Sequence, residues 1–513
     1  MCPVDWASGS RWSDNLKAMP PSSIVAFAKE FAGLHDCVRM HIGLPSPDSF
    51  PLASLTATNA PRPRLYGPTP ISSPDSPGSS PGSDVRPKRD THTSAGEGKL
   101  GSHTNVDDGV DGDMSGSGGF SIKALSTMSE AQQYNFTAGY APLVDWCRAT
   151  VSSVHEPPNG AEVCVTAGST QAVAAVIQCL TDPGDFILCE EYTFAAFIET
   201  IFMPRKLVVL PVTMDSQGLL PEALEAACVR GAEQAAATGR RPPRVLYTIP
   251  SGQNPTGAVM GLARKHAIYA VAQKWDLVII EDDAYWWLQY GDEQLRSSHT
   301  PGSPTTPDDM PGMRLPPSFL SLDTDSRVVR VDTFSKILGP GYRIGWLSGP
   351  APLVDKVAQV VQGGSAGPCS LSMVVVSEML SAWGPARFEG FLRQQQAMYR
   401  SRADAADAAA RQYLSGKAEW AVPTAGMFVF VRLTCLPDVT PSLLGELRAQ
   451  RVVAMPGRLF WADEAAQMRG DPCPLLRVTF GGLCEQDIHE GFRRLGAALT
   501  AAVATEKLLE AAL

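Results

Sequence analysis

The sequence predicts an α/β fold: a large domain with a seven-stranded, mostly parallel sheet between helices, then a smaller α+β C-terminal domain. Two observations predict the sheet. Seven short apolar runs are spaced along the chain, and helix-like segments separate several of them. The third observation is a change of texture after Ser365, where long helical stretches precede short strands. The predicted strands are Glu162–Thr166, Phe186–Cys189, Leu207–Val212, Arg244–Ile249, Leu277–Ile280, Arg327–Val331 and Ile344–Leu347. Such continuous apolar runs suit strands covered on both faces. Helical spacing is predicted over Thr170–Leu180, Pro221–Val229 and Gly261–Trp275, then over Leu371–Trp383 and Phe388–Leu414. The strand-like GMFVFVRL, RVVAMP and LLRVTFG follow, and a last helix is predicted from Glu485 to Ala502.

Residues 61–120 are rich in Pro, Ser and Gly and too poor in apolar groups to offset chain entropy, so disorder is predicted there. A similar patch at 297–317 reads as a loop insert. The predicted divisions are an N-terminal segment 1–60, the insert, a large domain 121–365 and a small domain 366–513.

Composition narrows the function. Apolar residues make up 44% of the 513, enough for a large core. With 43 Lys and Arg against 53 Asp and Glu, the net charge is −10, which speaks against nucleic acid or an anionic membrane as partner. No apolar run approaches the roughly 20 residues that span a bilayer. The 11 cysteines are scattered, without a Cys-x-x-Cys pair, so neither a disulfide framework nor a metal site is expected. The opening MCPVDWASGSRWSDNL shows no leader pattern, and a cytoplasmic protein is expected.

Five motifs carry chemistry. In DTFSKILGPGYRIGW, Lys336 lies just past an apolar run, at the edge of an α/β sheet where ligands bind. Thr333, Ser335 and Arg343 beside it suit a phosphate ester, and the amine suits a carbonyl. In SGQNPTG, Asn254 can donate its amide to a ligand oxygen, although the motif alone is only a turn signal. In LVIIEDDAYWW, Asp282 and Tyr285 follow a buried run; Asp282 reads either as the partner of a cationic ligand group or as a helix cap. In VTAGSTQ, Gly168, Ser169 and Thr170 open a helix whose free N–H groups can cradle phosphate. In PLLRVTFG, Arg477 lies midway along a strand-like run, where a lone arginine is usually solvated at a sheet edge; it carries chemistry only as a carboxylate clamp.

Taken in order, NPTG, EDDAY, FSK and GYRIG resemble the fold-type I aminotransferases that use pyridoxal 5′-phosphate (PLP), nearest the aromatic-amino-acid, kynurenine and 2-aminoadipate branch. The resemblance covers most of the chain from Met40 onward. It implies transfer of an amino group from an amino acid to a 2-oxo acid such as 2-oxoglutarate, in a ping-pong cycle. It implies that Lys336 forms the Schiff base with PLP and moves the substrate proton, and that Asp282 pairs with the ring nitrogen. Asn254 and Tyr285 would bond the ring O3′, and Phe194, where relatives often carry Tyr, would stack on the ring. Gly168, Ser169, Thr170, Thr333, Ser335 and Arg343 would hold the phosphate. Tyr134, in QQYNFTAGY, would reach the phosphate of a neighbouring subunit, which makes the expected unit a homodimer. Arg477 would grip the substrate carboxylate, and Gly43 would belong to a segment closing over the substrate. Arg11 and Lys17 are candidates for a second carboxylate contact. Trp286 and Trp287 suit either an aromatic donor pocket or core packing. A PLP lyase or synthase on the same fold, and a regulator with an aminotransferase-like sensor domain, are the alternatives.

Overall fold

The computed structural model describes residues 38–40, 131–135, 138–291 and 315–512. The predicted insert 61–120, most of the 297–317 loop and almost all of the N-terminal segment lie outside these residues, as do Arg11, Lys17 and Gly43.

In chain order the strands are β1 (Val38–Arg39), β2 (Glu162–Thr166), β3 (Phe186–Glu190), β4 (Val208–Val212), β5 (Met214–Asp215), β6 (Gly218–Leu219), β7 (Val245–Thr248) and β8 (Val278–Asp282). Then come β9 (Val328–Thr333), β10 (Gly345–Gly349), β11 (Ala418–Glu419), β12 (Phe428–Leu433), β13 (Val452–Val453), β14 (Met455–Pro456) and β15 (Leu475–Thr479). All seven predicted strands join one sheet, ordered β2-β10-β9-β8-β7-β3-β4. Only β10 runs against its neighbours; the other pairings are parallel. The main departure from expectation is at strand ends. β8 runs on through Glu281 and Asp282, and β9 through Thr333, so these polar residues lie inside the sheet rather than after it.

The helices covering the sheet include α1 (Ala141–His155), α2 (Ser169–Leu180), α3 (Pro221–Thr238), α4 (Leu262–Lys274) and α5 (Ala351–Ser365). One face of the sheet, with Ile187, Tyr247, Ile280, Val331 and Leu347, packs on apolar residues of α2 and α5 in a single core cluster. On the other, Trp146 of α1 meets Trp346 edge-on at 6.4 Å. The helix Ser370–Leu414 is broken at Gly384 (φ 63°, ψ 174°), next to Pro385, which separates the two predicted helices.

The C-terminal strands form an antiparallel sheet, β11-β12-β15-β14. β1 pairs in parallel with β13, and the Thr479 N–H donates to the Met40 carbonyl at 2.7 Å.

Alternation along β8 separates three consecutive acids. Ile280 and Asp282 share the face of the core cluster, while Glu281 and Asp283 turn to the other. There, wholly buried Arg330 bonds Asp332 through two nitrogens at 2.8 and 2.9 Å and Asp283 at 2.8 Å, with Glu281 at 3.4 Å. Glu281 also accepts from the N–H groups of Phe319 and Leu320. Removing the shared cation strands three buried carboxylates. Arg330→Met should therefore lose about 3–5 kcal/mol of stability. A urea-unfolding midpoint equal to wild type would show that the cluster is not held by this cation.

Candidate active site

Five strand ends meet at one rim of the large sheet. Gly168 follows β2, Phe194 follows β3, Asn254 follows β7, Asp282 ends β8, and Lys336 lies three residues beyond β9. Ligands gather at this edge of open α/β sheets.

Asp282 is buried, and its Oδ2 accepts a 2.8 Å hydrogen bond from the Tyr247 hydroxyl. Its Oδ1, also buried, has no hydrogen-bond partner among the described residues. Burial is the main cause that pushes its carboxyl up to about 7; Asp283 and Asp332 add to this, while the Tyr247 bond and Lys336 oppose it. The half-buried Lys336 amine is lowered to about 8, first by desolvation and then by the cations Arg477 and Arg343. It lies 5.8 Å from the Tyr285 ring centre. Buried Tyr285 in turn meets Phe428 edge-on at 5.7 Å. Phe194 packs edge-on against Phe197 at 5.0 Å, and Phe197 against Tyr247 at 5.6 Å, which ties Phe194 to the surroundings of Asp282.

The expected anion cradle assembles as well. The Thr333 hydroxyl donates to Ser335 Oγ at 2.9 Å, and Arg343 Nη1 donates to the same oxygen at 3.3 Å. Arg343 Nη2 donates to the Ala167 carbonyl at 3.0 Å, which lays the guanidinium against Gly168. Gly168 has φ +88°, and a Cβ there would come within 2.5 Å of Arg343 Nη2. Ser169 and Thr170 form the first turn of α2, where backbone N–H groups lack helical partners.

Arg477 lies on β15, between β12 and β14 in the smaller sheet, and is buried. Its guanidinium is sandwiched between the rings of Phe428 (4.7 Å) and Phe460 (4.5 Å), and Nη1 donates to Asn254 Oδ1 at 2.8 Å. Desolvation lowers it to about 10, with Tyr285 opposing. Tyr192 stacks on Trp461 at 6.1 Å and meets Phe430 edge-on at 5.5 Å. Tyr134 stands apart, 83% exposed. Trp286 and Trp287 are core residues; they contact His155 and Phe388 respectively, on the face away from Asp282.

Tyr247, Phe428 and Phe460 carry no local sequence signal of a site. Each sits in an apolar stretch that reads as core, and only the tertiary contacts give it a partner in the site.

The family described as aminotransferase class I and II matches residues 122–495. The chain belongs to this family. Bovine (Bos taurus) mitochondrial kynurenine/alpha-aminoadipate aminotransferase is 33% identical over 377 residues, 72% of this chain and 82% of that protein. An aromatic amino acid aminotransferase of Schizosaccharomyces pombe is 32% identical over 346 residues, 65% of this chain and 72% of that one. The structure of alpha-aminoadipate aminotransferase from Thermus thermophilus, solved with N-(5′-phosphopyridoxyl)-L-leucine, superposes with a TM-score of 0.66 at 23% identity, covering 98% of this chain and 100% of that one; it shares the fold. The protein is accordingly a transaminase, and its cofactor is PLP.

The aminotransferase's own residues fit that cofactor. Asp282 Oδ1 suits a protonated ring nitrogen, the hydroxyls and Arg343 around Gly168 suit a phosphate, and the Lys336 amine suits an aldehyde. Two outcomes follow. Uptake of PLP by apoprotein should quicken as pH rises to about 8 and then level off, because the neutral amine is the nucleophile; a rise continuing to pH 10 would mean an unshifted lysine. Gly168→Ala should cost more than about 1 kcal/mol from its positive φ alone. By displacing Arg343 it should also weaken PLP binding, measured by equilibrium dialysis.

Proposed function

We propose that this aminotransferase takes its amino group from an aromatic, kynurenine-like or 2-aminoadipate-like amino acid and passes it to a 2-oxo acid such as 2-oxoglutarate. The observation that carries the reading is the pairing of Arg477 with Asn254, which sets a buried cation between two aromatic rings beside Lys336. Such a planar fork matches the α-carboxylate common to both substrates. The aromatic side chains of Phe428 and Phe460 against it favour large or flat donors over small ones. Relatives named for kynurenine, 2-aminoadipate and aromatic amino acids support the same class.

In this reading PLP supplies an electron sink for negative charge at the substrate Cα. Lys336 Nζ removes and returns the Cα proton, and its lowered pKa suits that task near neutral pH. Asp282 Oδ1 receives the ring N–H, and its negative charge keeps that nitrogen protonated. Thr333, Ser335, Arg343, Gly168, Ser169 and Thr170 hold the phosphate. Asn254 accepts from Arg477 through Oδ1, which leaves Nδ2 as the donor to the cofactor, with Tyr285 beside it. Phe194 stacks on the ring.

The active unit in this reading is a homodimer in which Tyr134, exposed on the single chain, reaches the partner's phosphate. No helix among the described residues is long and apolar enough to cross a membrane. The reading puts the enzyme in the cytoplasm, although the bovine relative carries a mitochondrial name.

Lys336→Ala should lower kcat by at least about 10²–10⁴-fold. Arg477→Ala should cost roughly 2–5 kcal/mol in kcat/KM with every donor. A donor panel with 2-oxoglutarate decides the substrate class. Highest kcat/KM for short aliphatic donors such as alanine would sink it.

A further inference from the structure

The hydroxyl of Tyr247 and the carboxylate of Asp282 meet inside the sheet, 35 residues apart in the chain and on neighbouring parallel strands. Tyr247 is wholly buried, and its ring is held edge-on by Phe197 at 5.6 Å and Phe202 at 5.8 Å. The phenol therefore has a fixed direction, and its 2.8 Å bond ends on Oδ2. Oδ1, equally buried, is left with no donor among the described residues. An ionised carboxylate accepts at both oxygens, so this arrangement reserves one of them.

We propose that Tyr247 is a positioning residue: its hydroxyl occupies Oδ2 of Asp282, so that Oδ1 alone receives the ring N–H of the cofactor. The inference rests on the role given to Asp282 above and adds to it the group that orients it. Removal of the phenol would leave a buried carboxylate with neither oxygen bonded by protein, free to rotate and easier to protonate.

The electrostatic surroundings give the sign. The charged and titratable groups that act on Asp282 are Glu190 from β3, Tyr247 from β7, its neighbour Asp283, Asp332 from β9, and Lys336 and Tyr285 from the segments beyond the strands; Glu190, Asp283 and Asp332 act through the sheet. Three of these are carboxylates, which favour the protonated form. The Tyr247 bond favours the ionised form, as does Lys336. Burial and the Asp282 charge keep the phenol itself far above its ordinary range, so it stays a donor across neutral pH.

The test is PLP affinity of full-length apoprotein from pH 6 to 9, for wild type, Tyr247→Phe, Asp282→Asn and the double variant, with circular dichroism as the fold control. The ratio of variant to wild-type Kd cancels the titration of PLP itself. For Tyr247→Phe it should be roughly tenfold at pH 6, equivalent to one unit in the Asp282 pKa, and should fall toward one by pH 9. In the Asp282→Asn background the second substitution should have no further effect. A ratio of one throughout, a loss independent of pH, or the same loss without the carboxylate would overturn the proposal. Site-specific 3-fluorotyrosine at position 247, a stronger donor of similar size, should tighten PLP at pH 6; an unchanged Kd counts against the proposal even if the phenylalanine variant does not fold. Wild-type apoprotein that takes up no PLP would instead overturn the reading of the whole site.

Discussion

The constraint on which the site depends is the withdrawal of ionisable groups from water at one sheet rim. Asp282 and Lys336 are both displaced toward their neutral forms, to about 7 and about 8, and Arg477 is lowered to about 10. In each case desolvation is the largest cause. The local charges only modify it: two cations press further on Lys336, and two carboxylates press further on Asp282. A ligand bearing a cationic nitrogen and an aldehyde would suit Asp282 and Lys336, and a carboxylate would suit Arg477. The apoprotein thus holds electrostatic free energy that cofactor binding releases, which is how a preformed polar site gains affinity without rearranging.

The other face of the same strands shows the contrast. Thr248 lies beside Glu281, Glu281 beside Arg330, and Arg330 beside Ser348, a buried polar row running across four strands. Glu190 joins it by accepting from the Thr248 hydroxyl and the Ile249 N–H. Here protein supplies a cation: Arg330 serves Asp283 Oδ2 and Asp332, and Lys265 donates to the Pro317 carbonyl, while Asp283 Oδ1 and Ser348 Oγ have no hydrogen-bond partner among the described residues. The pleat decides which acid of EDD does which job. Glu281 and Asp283 turn to Arg330, and Asp282 turns to the core face, where the donor is a single phenol. Three acids in a row are divided between the two faces, two beside Arg330 and one, Asp282, beside Tyr247, because successive side chains alternate.

That alternation also explains what could be read from the chain and what could not. The seven strands were legible because each is a continuous apolar run of four to six residues in a sheet covered on both faces. Their polar ends were not: Asp282 and Thr333 were read as following their strands, because acids and hydroxyls interrupt the apolar pattern although backbone pairing continues. Lys336, Asn254, Gly168 and Arg343 were legible because they lie within a few residues of strand ends, and their roles came from resemblance. Tyr247 was invisible as a site residue. In RVLYTIP it is an aromatic at a core position, and its functional contact is created by the register Tyr247↔Ile280, which no local pattern encodes. Arg330 was hidden in the same way, as a cation inside a run read as apolar.

The bond between Arg477 and Asn254 has a consequence for the two sheets. Asn254 belongs to the loop after β7 of the large sheet, and Arg477 to an inner strand of the smaller one. The loop approaches so closely that a Cβ on Gly252 would lie 2.8 Å from the Gly426 nitrogen, just before β12. On the far side, the Thr193 N–H donates to the Phe460 carbonyl and the Ala462 N–H to the Glu191 carbonyl, joining the loop after β3 to the segment that stacks on Arg477. Arg477, the proposed carboxylate clamp, is therefore held from both sheets, by a side-chain bond on one side and backbone bonds on the other. A guanidinium fixed between two rings and one amide loses little further freedom when a carboxylate arrives. The position of the clamp relative to Lys336 then depends on the packing between the sheets, so substitutions at Gly252 or Gly426 would act on the reaction through distance, without touching any reacting group.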